Sequence, residues 1–437
     1  MTHSSNLTAY GLYQVGTESL VEYDTYTLGH SVVPGWKDTG DGDVFEYHHQ
    51  KFPAKQPGAF FAAAVPYFFL HFIFGMSFLK NQNLVAALNC WLSVGMFASI
   101  AVGFFYELLL LFEVSVGTAL ITTATFAFGT LFFPYTGIPH HDIFATSCLI
   151  FGLFFLLRSK QRDLNKNFRA AGAWIGVTLF FSMLPALMVA ILFVFGLTLT
   201  RKHIARIHFG MGFLTGYLPL GLFDAYYFGN PFVQANMAGN YQDTFFKGSL
   251  KTMQEHFHDY FGVTSYLSVL QIMPVFILGL MGIFFLAKRY RKEKTLFLTL
   301  FLVHVGYLLN ISTIGHCQFG PRYLIPLVPF MMIGFAQWMS IRGRWTSRIA
   351  KISAGVAILY SLAMNFLGAL GDTMYCGNLV DSPIPKYWKT RATLFADYFP
   401  VRPYCYGVIG LTIIFFFWSS RGRRNLLPTN RSFSELS

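Results

Sequence analysis

The residues best suited to chemistry fall in a few separated stretches. These are VEYDTYTLGH and DTGDGDVFEYHH near the start, KFPAKQPG just after them, FPYTGIPHHDIF further on, and GHCQFGPRYLIPLVPF later still. Together they supply Glu22, Asp24, Asp41, Asp43, Lys55, His140, His141, Asp142 and Arg322. Paired carboxylates serve as a general base or hold a cation. Lysine binds phosphate as a point charge, and arginine grips it with two parallel hydrogen bonds. Each feature also has a plainer reading. Acidic side chains are at home in a solvated loop, and Asp-Gly is a turn dipeptide. Asp142 stands where a helix N-cap would, while Lys55 and Arg322 stand where interfacial anchors snorkel. Adjacent histidines do not share one face of a helix, so His140-His141 is not a HExxH-like metal pair. The DGD run lacks the full calcium-loop spacing.

These stretches must be positioned by membrane helices. Of 437 residues, 54% are hydrophobic and 12% charged, and fifty are Phe; soluble domains carry about a quarter charged residues. The apolar runs are long enough for a hydrocarbon core of ~30 Å. Candidate spans lie at about 83–105, 113–133, 142–158, 207–228, 265–287, 295–313, 323–341, 350–369 and 404–420. The stretch 170–200 is too long for one ordinary span at ~1.5 Å per residue, and Pro185 interrupts it. Its flanks are both basic, with Arg158, Lys160, Arg162, Lys166 and Arg169 before it and Arg201, Lys202 and Arg206 after it. Cytoplasmic loops collect Lys and Arg, so 170–200 reads as a pair of short helices turning at Pro185. One long kinked span is the simpler alternative.

With that pair in place, most of the 32 Lys and Arg residues fall on one side, in short loops and the tail. The net charge of +12 thus belongs to membrane topology rather than to nucleic acid. Residues 134–141, 229–264, 314–322 and 370–403 fall on the opposite, outer side, as do most of the acidic residues. The same parity places residues 1–57 outside. The segment 59–79, broken by Pro66 and Gly75, then lies along the outer membrane face; an ordinary span with the N-terminus inside is the alternative. An outside N-terminus implies that a translocating helix is missing ahead of Met1. Residues 1–26 read as polar and weakly patterned. The expected organisation is a first outer loop over 1–57, a multi-span domain over 58–420 and a cytoplasmic tail over 421–437.

Other chemistries leave no mark. There is no P-loop or Gly-rich dinucleotide motif, no ladder of charges through the spans and no inverted repeat. The five cysteines form no CxxC pair. Cys90 and Cys148 lie in apolar segments. Cys317, Cys376 and Cys405 fall outside, where any disulfide would leave one thiol free.

Four segments resemble, in order, those of membrane glycosyltransferases of the dolichyl-phosphate-mannose protein mannosyltransferase type. They are KQPGAFFAAAVPYFF, FGTLFFPYTGIPHHDIFATSCLIFGLFFLL, DAYYFGNPF and GPRYLIPLVPF, and the likeness covers about residues 10–340. The resemblance implies an all-α polytopic GT-C-like bundle of about 11 membrane helices plus an interfacial helix. It implies transfer of a sugar from a polyprenyl-phosphate carrier to a glycan, lipid or protein acceptor at the extracytoplasmic face, in a bacterial inner membrane. Asp24, with Glu22 beside it, takes the place of the first-loop base, and Lys55 that of the carrier-phosphate lysine. His140, His141 and Arg322 become further phosphate or sugar contacts. The chain departs from the family in lacking a span before the first loop and in having Gln56 where Pro is common. Metal dependence stays open. A transporter or flippase of lipid-linked glycans is the alternative function, with a non-catalytic assembly factor third.

Overall fold

The computed structural model describes residues 10–371, except 35, 37–42, 161–163, 234–247, 264, 266–267, 312–313, 316–318 and 342. The chain divides into two compact units, 1–387 and 388–437, and every described residue belongs to the first. Asp41, Cys317, Cys376, Cys405, the expected span 404–420 and the tail 421–437 lie outside the described residues.

The protein is an all-α polytopic membrane protein, with one short hairpin among the described residues. Residues 1–26, expected as an unpatterned loop, contain helix α1, Tyr10–Glu22. Its apolar positions are too few to give a helical stripe in the sequence. Tertiary packing makes the helix instead: Leu12, Tyr13 and Val15 are buried, and Gly16 has no Cβ because that atom would sit 2.4 Å from the Phe60 ring. Strands β1, Val44–Tyr47, and β2, Gln50–Pro53, pair antiparallel with Tyr47 opposite Gln50. His48 and His49 both have positive φ, as a two-residue hairpin turn of the favoured hand requires.

Helix α2, Gly58–Phe72, follows the Pro-Gly pair. A Cβ on Gly58 would meet the main-chain oxygen of Phe180 at 2.6 Å, so glycine is what lets this entrance pack closely. At ~1.5 Å per residue α2 is ~22 Å long, short of a ~30 Å hydrocarbon core. Phe60, Ala63, Tyr67 and Leu70 are buried, while Phe61, Val65, Phe68, Phe69 and Phe72 are exposed. Helix α3, Phe78–Leu111, runs through a π-helical turn at Trp91–Gly95. Then come α4, Val116–Phe128, and α5, His141–Arg158.

The stretch after α5 forms two helices, α6, Leu164–Phe181, and α7, Ala186–Thr198, broken at Ser182–Pro185. Helix α8, His203–Phe228, packs against α6 at backbone contact. Cβ atoms on Gly212 and Gly216 would lie 2.1 Å from the carbonyl oxygens of Arg169 and Ala173. The two partners advance together, so α6 and α8 run parallel, and α7 returns between them. Close approach through small residues is how membrane helices associate where lipid offers no hydrophobic drive. The remaining α-helices among the described residues are α9, Leu250–Phe261, α10, Val269–Ile272, α11, Val275–Ile283, α12, Arg291–Asn310, α13, Val328–Met339, and α14, Arg344–Gly371. The same close approach joins α11 to α13: Gly279 and Gly282 meet Met331 and Gly334.

Among the described residues three helices are long and apolar enough to cross a membrane: α3, α5 and α14. The ends of α5 separate two kinds of chemistry. Beyond its C-terminus Lys160 pairs with Glu293, and Arg289 pairs with Glu113. At its N-terminus stand the histidines and Asp142.

Candidate functional site

Five separate segments converge at the N-terminal end of α5. The hairpin supplies the first pair. Val44 lies opposite Pro53, and the amide of Ala54 donates to the Asp43 carbonyl at 2.7 Å. This closes the open end of the hairpin, so that the Lys55 ammonium meets Asp43 Oδ1 at 2.8 Å. Lys55 therefore starts ion-paired rather than as a lone cation, with 15% of its side chain exposed. The Tyr26 hydroxyl donates to the Lys55 carbonyl at 3.1 Å and fixes the main chain there. Tyr227, from the DAYYFGNPF segment, accepts the Tyr26 amide, and Phe228 packs on Phe45 and Phe52.

The second group comes from the loop before α5. A short 3-10 turn, Pro134–Gly137, ends in an extended His140. That residue, not Asp142, caps the helix: its Nδ1 accepts the Asp142 amide at 3.2 Å. Because His140 lies just outside the helix, the two histidine rings stack, with centroids 4.5 Å apart and 18° between planes. The expectation that adjacent histidines diverge holds within a helix, and fails across a cap. Asp142 is fully buried in the first turn, where the helix dipole favours a carboxylate. Ser182, in the break between α6 and α7, donates to its Oδ1 at 2.9 Å.

Tyr13 of α1 completes this group. Burial pushes its phenol well above the ordinary range, with the Asp142 charge adding to the effect. It therefore keeps its proton. A hydrogen on His141 Nε2, which faces the Asp142 carboxylate Oδ1 at 3.4 Å, leaves Nδ1 as the acceptor for the phenol. Tyr13, His141, Asp142 and Ser182 form one continuous polar chain.

Arg322 arrives from the segment directly before α13. Tyr135 donates to the Phe319 carbonyl at 2.8 Å and ties the 134–137 turn to the loop before Arg322. Gly315 and Gly320 have positive φ, and a Cβ on Gly315 would lie 2.8 Å from Arg322 Nε. The guanidinium lies over the Tyr323 ring at 4.7 Å and donates to its hydroxyl at 3.2 Å. Its Nη1 is 3.3 Å from His140 Nε2. Burial, followed by His141, Arg322 and Lys55, holds His140 well below its ordinary pKa, hence neutral. A neutral ring has a single lone-pair nitrogen, so His140 accepts either from Arg322 or from the Asp142 amide.

Lys55, His140, His141 and Arg322 are thus brought together. Asp24 and Glu22 are placed differently. Asp24 is exposed in a turn after α1, with φ +52°. The carboxylate whose charge acts on Tyr13 along with that of Asp142 is Asp43. Glu22 accepts from Tyr67 and faces His71 Nδ1 at 3.5 Å, both on α2. Sequence reasoning missed Tyr13 and Ser182. Tyr13 sits in a helix with no recognisable pattern; Ser182 carried a signal, its place beside the Pro185 break.

No protein-family profile matches this chain, and no curated protein matches it. Among solved structures it is similar to the crystal structure of ArnT from Cupriavidus metallidurans bound to undecaprenyl phosphate, with 16% identity and a TM-score of 0.49. The match covers 86% of this chain and 62% of that one, so the chain spans less than two thirds of the neighbour's length. At that degree of likeness, fold and function rest on the chain's own geometry.

Proposed function

We propose that this protein is a GT-C-like membrane glycosyltransferase that moves a sugar from a polyprenyl-phosphate carrier to an acceptor at the extracytoplasmic face. One observation carries the reading. Arg322, distant in sequence, lies 3.3 Å from His140 at the head of α5, and the Lys55 charge falls on the same histidine pair. Three of the four segments that resemble the mannosyltransferase type supply these residues. The fourth packs on the hairpin that holds Lys55. A lipid-linked phosphate sits at headgroup depth, and the exposed phenylalanines of α2 offer an apolar wall for its chain.

The reaction follows from those charges. The carrier phosphate takes Lys55 from Asp43 and is gripped by Arg322, with His140 beside it. Fixed cations stabilise the negative charge that grows on the phosphate as its bond to the anomeric carbon breaks. Asp43, released from its partner, is then the first-loop carboxylate that accepts the acceptor's hydroxyl proton. The acceptor oxygen bonds to the anomeric carbon, polyprenyl phosphate leaves, and the proton passes from Asp43 to water. Asp24, in the same loop, is the competing base, and Glu22 serves the α1–α2 joint. A flippase would need a ladder of charged groups through the bundle. Among the described residues, the buried carboxylates of the long helices α5, α8 and α12, namely Asp142, Asp224 and Glu293, stand near helix ends instead.

The test is transfer of labelled sugar from a polyprenyl-phosphate donor by the chain in liposomes. Lys55→Ala and Arg322→Gln are expected to lose about 100- to 1,000-fold in turnover. Asp43→Asn is expected to lose at least as much as Asp24→Asn. Full turnover in the Lys55 and Arg322 variants would overturn the reading. Scrambling of lipid-linked sugar without transfer would put the flippase in its place.

A further inference from the structure

The cluster at the head of α5 has a property that sugar transfer does not use. His140, His141 and Asp142 each offer one ligand atom, and these atoms all lie within 4.8 Å of one another. His140 Nδ1 is 3.8 Å from Asp142 Oδ2, and His141 Nε2 is 3.4 Å from Oδ1. Three donors at ~2.0–2.2 Å from a tetrahedral zinc stand roughly 3.3 Å apart, so small side-chain shifts suffice. All three residues are buried. Ser182 occupies Oδ1 of Asp142, but Oδ2 is buried with no hydrogen-bond partner. An unsatisfied carboxylate oxygen beside two imidazoles is a set of ligand atoms rather than a closed hydrogen-bond network.

We infer that His140, His141 and Asp142 form a binding site for a single zinc-type transition-metal ion. Two imidazoles and one carboxylate match the borderline softness of zinc, whereas magnesium and calcium prefer oxygen shells. Tyr13 is the outer partner that holds His141. When Nε2 binds metal, the ring proton moves to Nδ1 and the phenol oxygen accepts it. Metal at His140 Nδ1 takes the lone pair that otherwise caps α5 and fixes that ring's proton on Nε2, which then cannot accept from Arg322. Metal binding therefore opposes both the Arg322–His140 contact and the positive charges of Lys55 and Arg322. This predicts an affinity that rises when Arg322 is neutralised, which a generic surface histidine site would not show.

The test uses zinc alone, with the full chain in detergent and no sugar donor present, so its result is independent of glycosyl transfer. Competition with a chromophoric chelator should give one zinc per chain. His140→Gln and Asp142→Asn should each weaken binding at least 10-fold, and Arg322→Gln should tighten it several-fold. The His48→Ala/His49→Ala double variant removes the exposed hairpin pair and should change nothing. X-ray absorption of the wild-type complex should show two imidazoles and light-atom neighbours, which keeps the inference testable should a cluster variant misfold. No zinc retained at micromolar concentration, or binding lost only in the hairpin variant, would overturn the site. So would an absorption spectrum with one imidazole or none.

Discussion

At the residue scale the outstanding group outside the site is Glu18. It is almost fully buried on α1, and burial raises its carboxyl from 4.5 to about 7, with Ser31 opposing and Glu22 reinforcing the shift. The sign follows from proton binding. Between about pH 4.5 and pH 7 the folded state holds a proton that the unfolded state has released, so stability falls as pH rises through that window and levels off above it. Glu18→Gln, which mimics the protonated form, should raise the melting temperature by a few degrees at pH 8 and leave it nearly unchanged at pH 4.5. Thermal unfolding of the detergent-solubilised chain at both values reads this directly. An equal shift at the two pH values would mean that the carboxyl is charged or solvated in the folded protein. Arg322 makes a second prediction at this scale. Its guanidinium lies over Tyr323 while donating to it, and a lysine ammonium cannot reproduce that planar, two-sided engagement. Arg322→Lys should therefore behave in the transfer assay like Arg322→Gln and not like the parent.

At the element scale the bundle depends on glycines whose missing side chains set helix spacing. Gly212 faces α6 with 2.1 Å to a carbonyl oxygen, whereas Gly210, on the same helix, has open space around it. Gly212→Ala should cost about 1–3 kcal/mol or more through overpacking, and Gly210→Ala should be neutral or slightly stabilising. Comparing the two by fluorescence-detected size-exclusion thermostability separates packing from propensity. The elements were unevenly legible. The Pro185 break, flanked by basic residues, was readable because proline and charge both mark it. Helix α1 was not, because its burial comes from Phe60 and other partners distant in sequence. The hairpin was equally hidden: its turn is His-His rather than Asn-Gly, so the usual dipeptide signal is absent.

At the scale of the whole molecule, the charge parity of the loops gives an expected assignment of the two membrane faces. Lys160–Glu293 and Arg289–Glu113 gather beyond the C-terminal end of α5, away from His140 and Asp142. A cysteine at exposed His48 and one at exposed Lys202 should be labelled from opposite sides of sealed vesicles by an impermeant reagent. Labelling from the same side would break the assignment of faces. The site was half legible on the same grounds. Lys55 and Arg322 announce themselves as isolated cations at span entrances, but the Asp43 partner of Lys55 emerges only when the hairpin closes.

The proposed transfer depends on two cations from distant segments sharing one carrier phosphate. Binding of a polyprenyl phosphate to the purified chain, measured for the parent, Lys55→Ala, Arg322→Gln and the double variant, tests this most directly. Each single change should weaken binding about 10-fold or more, and the double change should depart from additivity, as groups sharing one ligand do. Unchanged affinity in both single variants would contradict the account.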